Sequence, residues 1–189
     1  MTLVVYAGTM GAINGVGFLV EVARAALDRG ADARFIVVGR GAEEEAIRSR
    51  AEASGVLGQN FFMYAPVSKA MMPSVLAAAD ISLSLFVDLE PMWANSANKF
   101  FDGLASGTPV GINYGGWQAE LLTEAGAGIV LPATAAGLAA DMILDRLADQ
   151  EWLVSSGKRA RQLAEERFGR DELAGQLERV LIDSARERQ

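Results

Sequence analysis

Short apolar runs alternate along this chain with longer segments in which apolar residues recur at helical spacing. Each short run is continuously apolar or nearly so, which is typical of a strand covered on both faces of a sheet. From this pattern we predict six strands, at residues 3–6, 34–38, 61–64, 81–86, 109–113 and 128–131.

Amphipathic helices are predicted between the strands and beyond the last one. The first carries aliphatic side chains from Val16 to Leu27 on one face and ends before Gly30, a residue type that commonly terminates helices. Ser68 is a candidate N-cap for the third helix. The eight helices are predicted at residues 15–29, 43–54, 71–78, 98–106, 117–125, 135–147, 151–168 and 171–186.

Strict alternation of strands and helices predicts right-handed crossovers and an α/β fold, a Rossmann-like doubly wound parallel sheet with extra C-terminal helices. No internal repeat or proline-rich linker interrupts residues 1–189, so we predict a single domain. In such sheets ligands bind beyond the carboxyl ends of the strands, near helix N-termini. The candidate site therefore lies on four loops, residues 8–14, 39–41, 65–68 and 87–98.

The composition excludes several kinds of chemistry. The chain has 189 residues and a formal net charge of -7, and this acidic balance argues against nucleic acid as a partner. It contains no cysteine and no histidine, which removes disulfides, thiolate metal sites and the commonest neutral-pH proton shuttle. Any chemistry of this chain must therefore use carboxylates, Lys, Arg or backbone groups.

Neither a membrane span nor a signal peptide is visible in the sequence. No apolar run approaches the roughly 20 residues that cross a bilayer. Residues 2–8 form a strand-like run and lack the basic start of a signal peptide. We therefore expect a cytoplasmic protein.

The first loop, residues 8–15, is rich in glycine and lies between a predicted strand and a predicted helix. Gly8, Gly11 and Gly15 would let backbone amides approach a phosphate at the start of that helix. The loop does not match the dinucleotide fingerprint and lacks the Lys of a P-loop. A tight strand-to-helix turn without a ligand is an equally good interpretation of this loop alone.

The helix that begins at Asn98 carries Lys99 and Asp102 three residues apart, and thus on one face. The acid could accept hydrogen bonds from sugar hydroxyls, and the Lys could neutralise phosphate. The alternative is an exposed Lys–Asp pair of little energetic consequence. The side chains predicted to face the sheet are Phe101, Leu104 and Ala105.

Residues 96–110 resemble the signature of glycosyltransferase family 4, also called group 1, whose members are retaining enzymes of the GT-B fold. That signature runs from an acid through an alanine and a glycine to a proline. Asp102, Ala105, Gly107 and Pro109 match it in order. Further matches follow the family's order along nearly the whole chain, at residues 8 and 15, 38–41, 77–80, 115–116 and 120.

The resemblance implies specific roles in donor binding. The acid at Asp102 would hydrogen-bond the ribose of a nucleotide sugar. Amides of the first loop, from Gly8 to Gly11, and of the helix start at Asn98 would hold the diphosphate. The loop after the third strand would meet the nucleobase through its backbone at Ala65 and Val67.

One departure from the family pattern concerns catalysis. The family has a second acid eight residues before Asp102, and that position here is Ala94. Glu90 is the candidate catalytic replacement, although an ordinary exposed loop Glu is the alternative. Trp93 and Trp117 flank the predicted pocket, where they could stack on a base or a sugar or pack as partly buried side chains.

A second departure concerns the phosphate-binding charges. The family's Arg and Lys of the first loop correspond here to Thr9 and Asn14. A subset of bacterial surface-polysaccharide transferases resembles this chain in those loop positions and in the Asn-Lys-x-x-Asp helix. Within that subset Lys99 is the candidate for the missing positive charge, and Arg40 is the next.

The resemblance implies that the chain is the C-terminal, donor-binding half of a two-domain enzyme, without the N-terminal acceptor domain. The parent would transfer a hexosyl or N-acetylhexosaminyl group, with retention, from a UDP-linked donor to a lipid-linked acceptor in lipopolysaccharide or capsule assembly at the inner membrane. We expect no metal or other cofactor, and no transfer by this half alone. The rival hypotheses are a nucleotide-sugar epimerase of the same fold and a regulatory or protein-binding module.

Overall fold

All six predicted strands are present in a computed structural model of the chain, which describes residues 1–186. They form one parallel sheet in the order β3-β2-β1-β4-β5-β6. The strands are β1 Thr2–Ala7, β2 Ala33–Val38, β3 Phe61–Tyr64, β4 Ile81–Ser84, β5 Val110–Ile112 and β6 Gly128–Val130. Residues 187–189, at the end of the predicted domain, lie outside the described residues.

All eight predicted helices are also present, each within two residues of the predicted bounds. They are α1 Val16–Asp28, α2 Glu44–Ala53, α3 Met72–Ala77, α4 Asn98–Ser106, α5 Trp117–Ala125, α6 Ala136–Ala148, α7 Gln150–Arg167 and α8 Arg170–Arg186. Two short 3-10 helices, Ala12–Asn14 and Glu90–Ala94, were not predicted from the hydrophobic pattern. Both lie in loops of the candidate site.

The prediction that Ser68 caps α3 is wrong. The residue that precedes the helix is Met71, and no side chain caps it. Ser68 contributes its carbonyl oxygen instead, which accepts hydrogen bonds from the backbone nitrogens of Met71 and Met72 at 3.0 and 3.2 Å. A backbone turn before the helix therefore takes the place of the side-chain cap.

The helices form two groups. Helices α1, α2 and α6 pack together, and α4 packs against α3 and α7, with α5 also contacting α7. Right-handed crossovers run outward from the central pair β1 and β4 in opposite directions, so the two groups cover opposite faces of the sheet. Two apolar clusters form the core, one around Tyr6 and Phe35 and the other around Phe100 and Leu104.

The buried face of α4 differs from the predicted one. Phe100 and Leu104 are fully buried, whereas Phe101 is only partly buried and Ala105 is exposed. Phe101 packs instead against Phe168, with ring centroids 4.8 Å apart. The predicted buried face of α4 is thus rotated by one residue from the observed one. Two adjacent Phe residues gave no means of deciding which of them faces the sheet.

The centre of the sheet brings the loops after β1 and β4 together. Gly15 has φ +60°, and a β-carbon there would lie 2.5 Å from the carbonyl oxygen of Phe86. The backbone nitrogen of Val87 donates to the carbonyl of Ile13 at 3.1 Å. Helices α1 and α4 leave this point toward opposite faces, which is the arrangement at the switch point of other doubly wound sheets.

Helix α8 contacts the rest of the domain little. None of its residues is buried, and its apolar face is exposed from Leu173 to Ile182. Among residues 1–186, no helix is both long enough and apolar enough to cross a membrane. Helix α8 also carries charged residues, so it is amphipathic, with an exposed apolar face.

Candidate functional site

The loop after β2 supports the first loop through backbone contacts. Met10 donates its backbone N–H to the carbonyl of Arg40 at 2.9 Å, and Gly8 donates to the carbonyl of Val38 at 2.9 Å. A β-carbon on Gly39 would collide with the carbonyl of Gly8, and one on Gly41 would collide with the carbonyl of Met10. The glycines of the 39–41 turn thus permit the two loops to touch.

Asn14 stabilises the 3-10 turn within the first loop. Its side-chain oxygen accepts a hydrogen bond from the backbone nitrogen of Gly11 at 3.1 Å. The backbone nitrogen of Asn14 donates to the carbonyl of Gly11 at 2.9 Å. The side chain is buried. Asn14 therefore fixes the shape of the loop at the position where the family pattern carries a phosphate-binding Lys.

A cavity of about 440 Å³ opens at the N-terminus of α1. It is lined by the first loop around Gly11 and Gly15, by α2, and by the ends of β4 and β5. The first N–H groups of an α-helix have no acceptor within the helix, so the start of α1 offers donors toward this cavity. Of the glycines predicted to approach a phosphate, Gly11 and Gly15 line it, whereas Lys99 and Asp102 do not.

Lys99 reaches from α4 across the end of β1. Its Nζ lies 5.3 Å from the centroid of the Tyr6 ring. A β-carbon on Gly8 would collide with Cε of Lys99, so the side chain passes where Gly8 leaves room. The structure thus brings together Gly8 of the first loop and Lys99 of α4, which are distant in the sequence.

Asp102 lies beside Lys99 without pairing with it directly. Both line a pocket of about 30 Å³ between the end of β1, α3 and β4. Among the ion pairs within 4.0 Å in residues 1–186, none joins these two side chains. The predicted shared face is confirmed, since both side chains line the same pocket.

Partial burial perturbs both charged groups. Burial lowers the pKa of the Lys99 ammonium, and the nearby Asp102 carboxylate opposes part of that shift. Burial also raises the pKa of the Asp102 carboxyl, and Lys99 opposes part of that shift in turn. Burial therefore disfavours the charged form of each group, and the opposite charge beside it offsets part of that effect.

The remaining predicted donor-binding residues lie at the same edge of the sheet. Arg40 and Ala65 are exposed, Val67 is partly buried, and Asn98 is the exposed first residue of α4. Thr9 is exposed, and its carbonyl accepts a hydrogen bond from the hydroxyl of Tyr6 at 2.6 Å. Their contact with a donor stays a prediction.

The candidate catalytic Glu90 is the exposed first residue of the second 3-10 helix. Trp93, in the same turn, packs against Gly115 and Gly116, where an added β-carbon would approach its ring and backbone to about 3 Å. This packing attaches the 90–94 segment to the loop after β5. Trp117 packs against Phe100, with ring centroids 6.1 Å apart.

The sequence analysis missed a group of buried polar side chains at the ends of β4 and β5. The Asn113 side chain accepts from the nitrogen of Phe86 and donates to its carbonyl, both at 2.9 Å. The Tyr114 hydroxyl lies 2.9 Å from that of Ser84 and donates to Gln118 at 2.7 Å. Burial raises the pKa of Tyr114 to about 12. An Asn at the end of the predicted apolar strand 109–113 was the available signal.

Within the described residues no group of three or more acidic side chains lies close enough together to hold a metal ion. The chain itself contains neither His nor Cys. The groups in this region that could balance the charge of an anion include Lys99, Arg40 and the backbone amides of the first loop. Independence from metal stays a prediction.

A parallel sheet of this order, with its loops meeting at the central switch point, defines a Rossmann-like α/β domain. The family model for group 1 glycosyl transferases matches residues 2–149. The chain therefore belongs to the group 1 glycosyl transferases, as the motif around Asp102 predicted. No curated protein sequence matches the chain.

Solved structures of glycosyltransferases share the fold. HepE from Anabaena, in complex with UDP and glucose, has a TM-score of 0.82 at 16% identity, with 96% of this chain and 48% of that chain covered. WaaG, a glycosyltransferase involved in lipopolysaccharide biosynthesis, has a TM-score of 0.71 at 18% identity, with 89% and 44% covered. The chain thus spans less than half the length of either protein.

A third structure is the C-terminal domain of LpcC, a glycosyl transferase group 1 family protein from Francisella tularensis. Its TM-score is 0.72 at 14% identity, and the match covers 89% of this chain and 87% of that domain. At these identities the likeness concerns the fold alone. It confirms the predicted Rossmann-like fold of a GT-B domain.

Proposed function

We propose that the chain is the donor-binding domain of a retaining glycosyltransferase that takes its sugar from a UDP-linked donor. Membership of the group 1 family supports a nucleotide-sugar donor. The complex of HepE with UDP and glucose supports uridine as its nucleoside. An N-terminal domain that holds the acceptor completes the enzyme, and the match to the C-terminal domain of LpcC supports this division.

The observation that carries this proposal is the position of Lys99 over Gly8, beside Asp102 and the first loop. Asp102 accepts hydrogen bonds from the ribose hydroxyls, and Lys99 balances the diphosphate. Amides from Gly8 to Gly11 and at the start of α4 add fixed positive dipoles. Together these groups stabilise the diphosphate as it leaves the sugar, without a metal ion.

The outer residues of the site contact the rest of the nucleotide. The backbone at Ala65 and Val67 meets the uracil, while Thr9 and Arg40 border the phosphates. Asn14 acts through the loop, because its side chain holds the 3-10 turn in place. Glu90 faces the reacting sugar from the segment that Trp93 attaches to the loop after β5.

The acceptor we propose is a lipid-linked glycan in surface-polysaccharide assembly. The involvement of WaaG in lipopolysaccharide biosynthesis supports this class of acceptor. The sugar transferred is a hexose or an N-acetylhexosamine. The parent enzyme works in the cytoplasm at the surface of the inner membrane, where the lipid carrier presents its glycan.

A transfer assay with radiolabelled donor tests whether this chain binds the donor and a separate domain holds the acceptor. Holding the acceptor hydroxyl against the anomeric carbon can supply roughly 7–11 kcal/mol of barrier lowering, and the acceptor domain provides that positioning. The chain alone should therefore bind labelled UDP-sugar yet form no product with a panel of lipid-linked acceptors. The full-length parent is the positive control. Acceptor-dependent product from the 189-residue chain alone would contradict the proposal.

A further inference from the structure

Tyr6 is a buried aromatic residue whose hydroxyl bonds to the exposed first loop. It lies one residue before the end of β1 and has no solvent exposure. Its hydroxyl donates to the carbonyl of Thr9, in the exposed part of the first loop, at 2.6 Å. A buried hydroxyl is costly without a hydrogen bond, so this contact ties the first loop to the core.

The ring of Tyr6 also contacts the cation of the candidate site. Nζ of Lys99 lies 5.3 Å from the ring centroid, within the range of a cation–π interaction. Gly8 leaves the space through which the Lys99 side chain reaches the ring. One buried side chain of β1 thus contacts both the first loop and a cation from α4.

The Lys99 ammonium remains available to a ligand in this arrangement. Asp102 is the acid beside it, and no ion pair within 4.0 Å joins the two in the part of the chain that the structure describes. The aromatic face holds the cation in place without neutralising it, whereas a carboxylate would. A diphosphate would meet a fixed positive charge.

We infer that Tyr6 is a positioning residue, which holds the Lys99 ammonium and the first loop together in the geometry that receives the donor's diphosphate. This inference rests on the proposed function of the chain. Tyr6 itself touches no part of the donor, because it is fully buried. Its contribution passes through Lys99 and the carbonyl of Thr9.

A double-mutant cycle between Tyr6 and Lys99 tests this inference. The dissociation constants for UDP and for uridine are measured in the wild type, Tyr6→Leu, Lys99→Met and the double variant. Tyr6→Leu should weaken UDP about tenfold and leave uridine unchanged. In the Lys99→Met background, Tyr6→Leu should have less than a third of that effect, because the cation it positions is gone.

Two further variants separate positioning from folding. Phe35→Leu truncates another fully buried aromatic residue of the same apolar cluster and should leave UDP affinity unchanged. Tyr6→Phe keeps the ring, loses the bond to Thr9, and should weaken UDP by about threefold. If Tyr6→Leu does not fold, the cycle is repeated with Tyr6→Met, which also removes the ring that contacts Lys99.

The outcomes distinguish the inference from the proposed function. Additive losses of UDP affinity in the Tyr6 and Lys99 variants would overturn the positioning role of Tyr6, and so would an equal loss of uridine affinity in Tyr6→Leu. Neither result would contradict the proposed donor site. Failure of the folded wild type to bind UDP would overturn the proposed function, and the inference with it.

Discussion

Lys99 and Asp102 are neighbouring charged residues of α4, and partial burial shifts the pKa of each. Burial lowers the pKa of Lys99 and raises the pKa of Asp102, and the two side chains form no ion pair within 4.0 Å among residues 1–186. Their three-residue spacing indicated a shared face. The contact of Lys99 with Tyr6 could not be predicted, because it depends on how α4 crosses the end of β1.

Replacement of Asp102 tests the ribose contact. Asp102→Asn should cost about 1.5–3 kcal/mol of UDP binding, the range for a hydrogen bond to a charged group. The free energy of unfolding should stay unchanged or rise slightly, since the raised pKa shows that the folded domain disfavours the charged carboxylate. Titration calorimetry and thermal melts measure the two quantities.

The matched control for this change is Asp145→Asn, which removes an exposed acid from α6, in the other group of helices. It should alter neither UDP affinity nor stability by more than about 0.5 kcal/mol. If Asp102→Asn binds UDP as tightly as the control, the acid of the family motif has no part in donor binding.

The pH dependence of binding tests Lys99. The ammonium is the form that attracts a diphosphate, so UDP affinity should fall as pH rises through the pKa of Lys99. That loss should begin below the ordinary lysine value of 10.5, because burial lowers this pKa. The other titratable groups that face Lys99 are Asp102 and Tyr6. The ordinary pKa of an Asp carboxyl, 3.8, lies far below this pH range, and burial raises the pKa of the Tyr6 hydroxyl above its ordinary value of 10.0.

Lys99→Met is the comparison for this profile. It should remove the part of the alkaline loss of UDP affinity that uridine does not share, since the uracil base itself loses a proton at alkaline pH, and added salt should shrink the difference from the wild type. Binding of uridine should be the same in both proteins across the pH range. An unchanged alkaline profile in Lys99→Met would assign the positive charge to another residue, with Arg40 the next candidate.

At the scale of helices and strands, the sequence predicted nearly all elements for a physical reason. Strands covered on both faces are continuously apolar, and the helices that cover them are amphipathic. The ends were less predictable. Phe86 reads as part of an apolar strand, yet β4 ends at Ser84 because the side chain of Asn113, distant in sequence, hydrogen-bonds the Phe86 backbone.

The contact between the first two loops is set by glycine, and a pair of Gly→Ala variants tests it. At Gly41 the added methyl group would collide with the backbone carbonyl of Met10, which cannot move aside without shifting the loop. Gly41→Ala should therefore cost about 1–3 kcal/mol of stability and also weaken UDP binding. Urea denaturation measures the first effect.

Gly175→Ala in α8 is the matched control. No atom lies within 4 Å of the position that its β-carbon would occupy. Since Ala favours helix by roughly 0.5–1 kcal/mol over Gly, this variant should be as stable as the wild type or slightly more stable. Equal stability of Gly41→Ala and Gly175→Ala would show that the first two loops do not depend on their close contact.

At the scale of the whole molecule, the fold was predictable and the site only in part. The motif around Asp102 identified the family, because several matches fell in the right order along the chain. The cavity at the start of α1 and the role of Tyr6 were not predictable, because each depends on residues brought together from distant strands and helices. Physical contact in three dimensions, rather than spacing along the chain, defines them.

The central claim is that this domain binds the nucleoside diphosphate of a sugar donor, and a thermal-shift comparison of UDP with a nicotinamide dinucleotide tests it most directly. UDP at 100 times its dissociation constant should add roughly 2.7 kcal/mol of stability. For a domain of this size, that gain should raise the Tm by about 5–10 °C. The dinucleotide should produce no shift, because the first loop lacks its fingerprint. A shift with the dinucleotide and none with UDP would contradict the account.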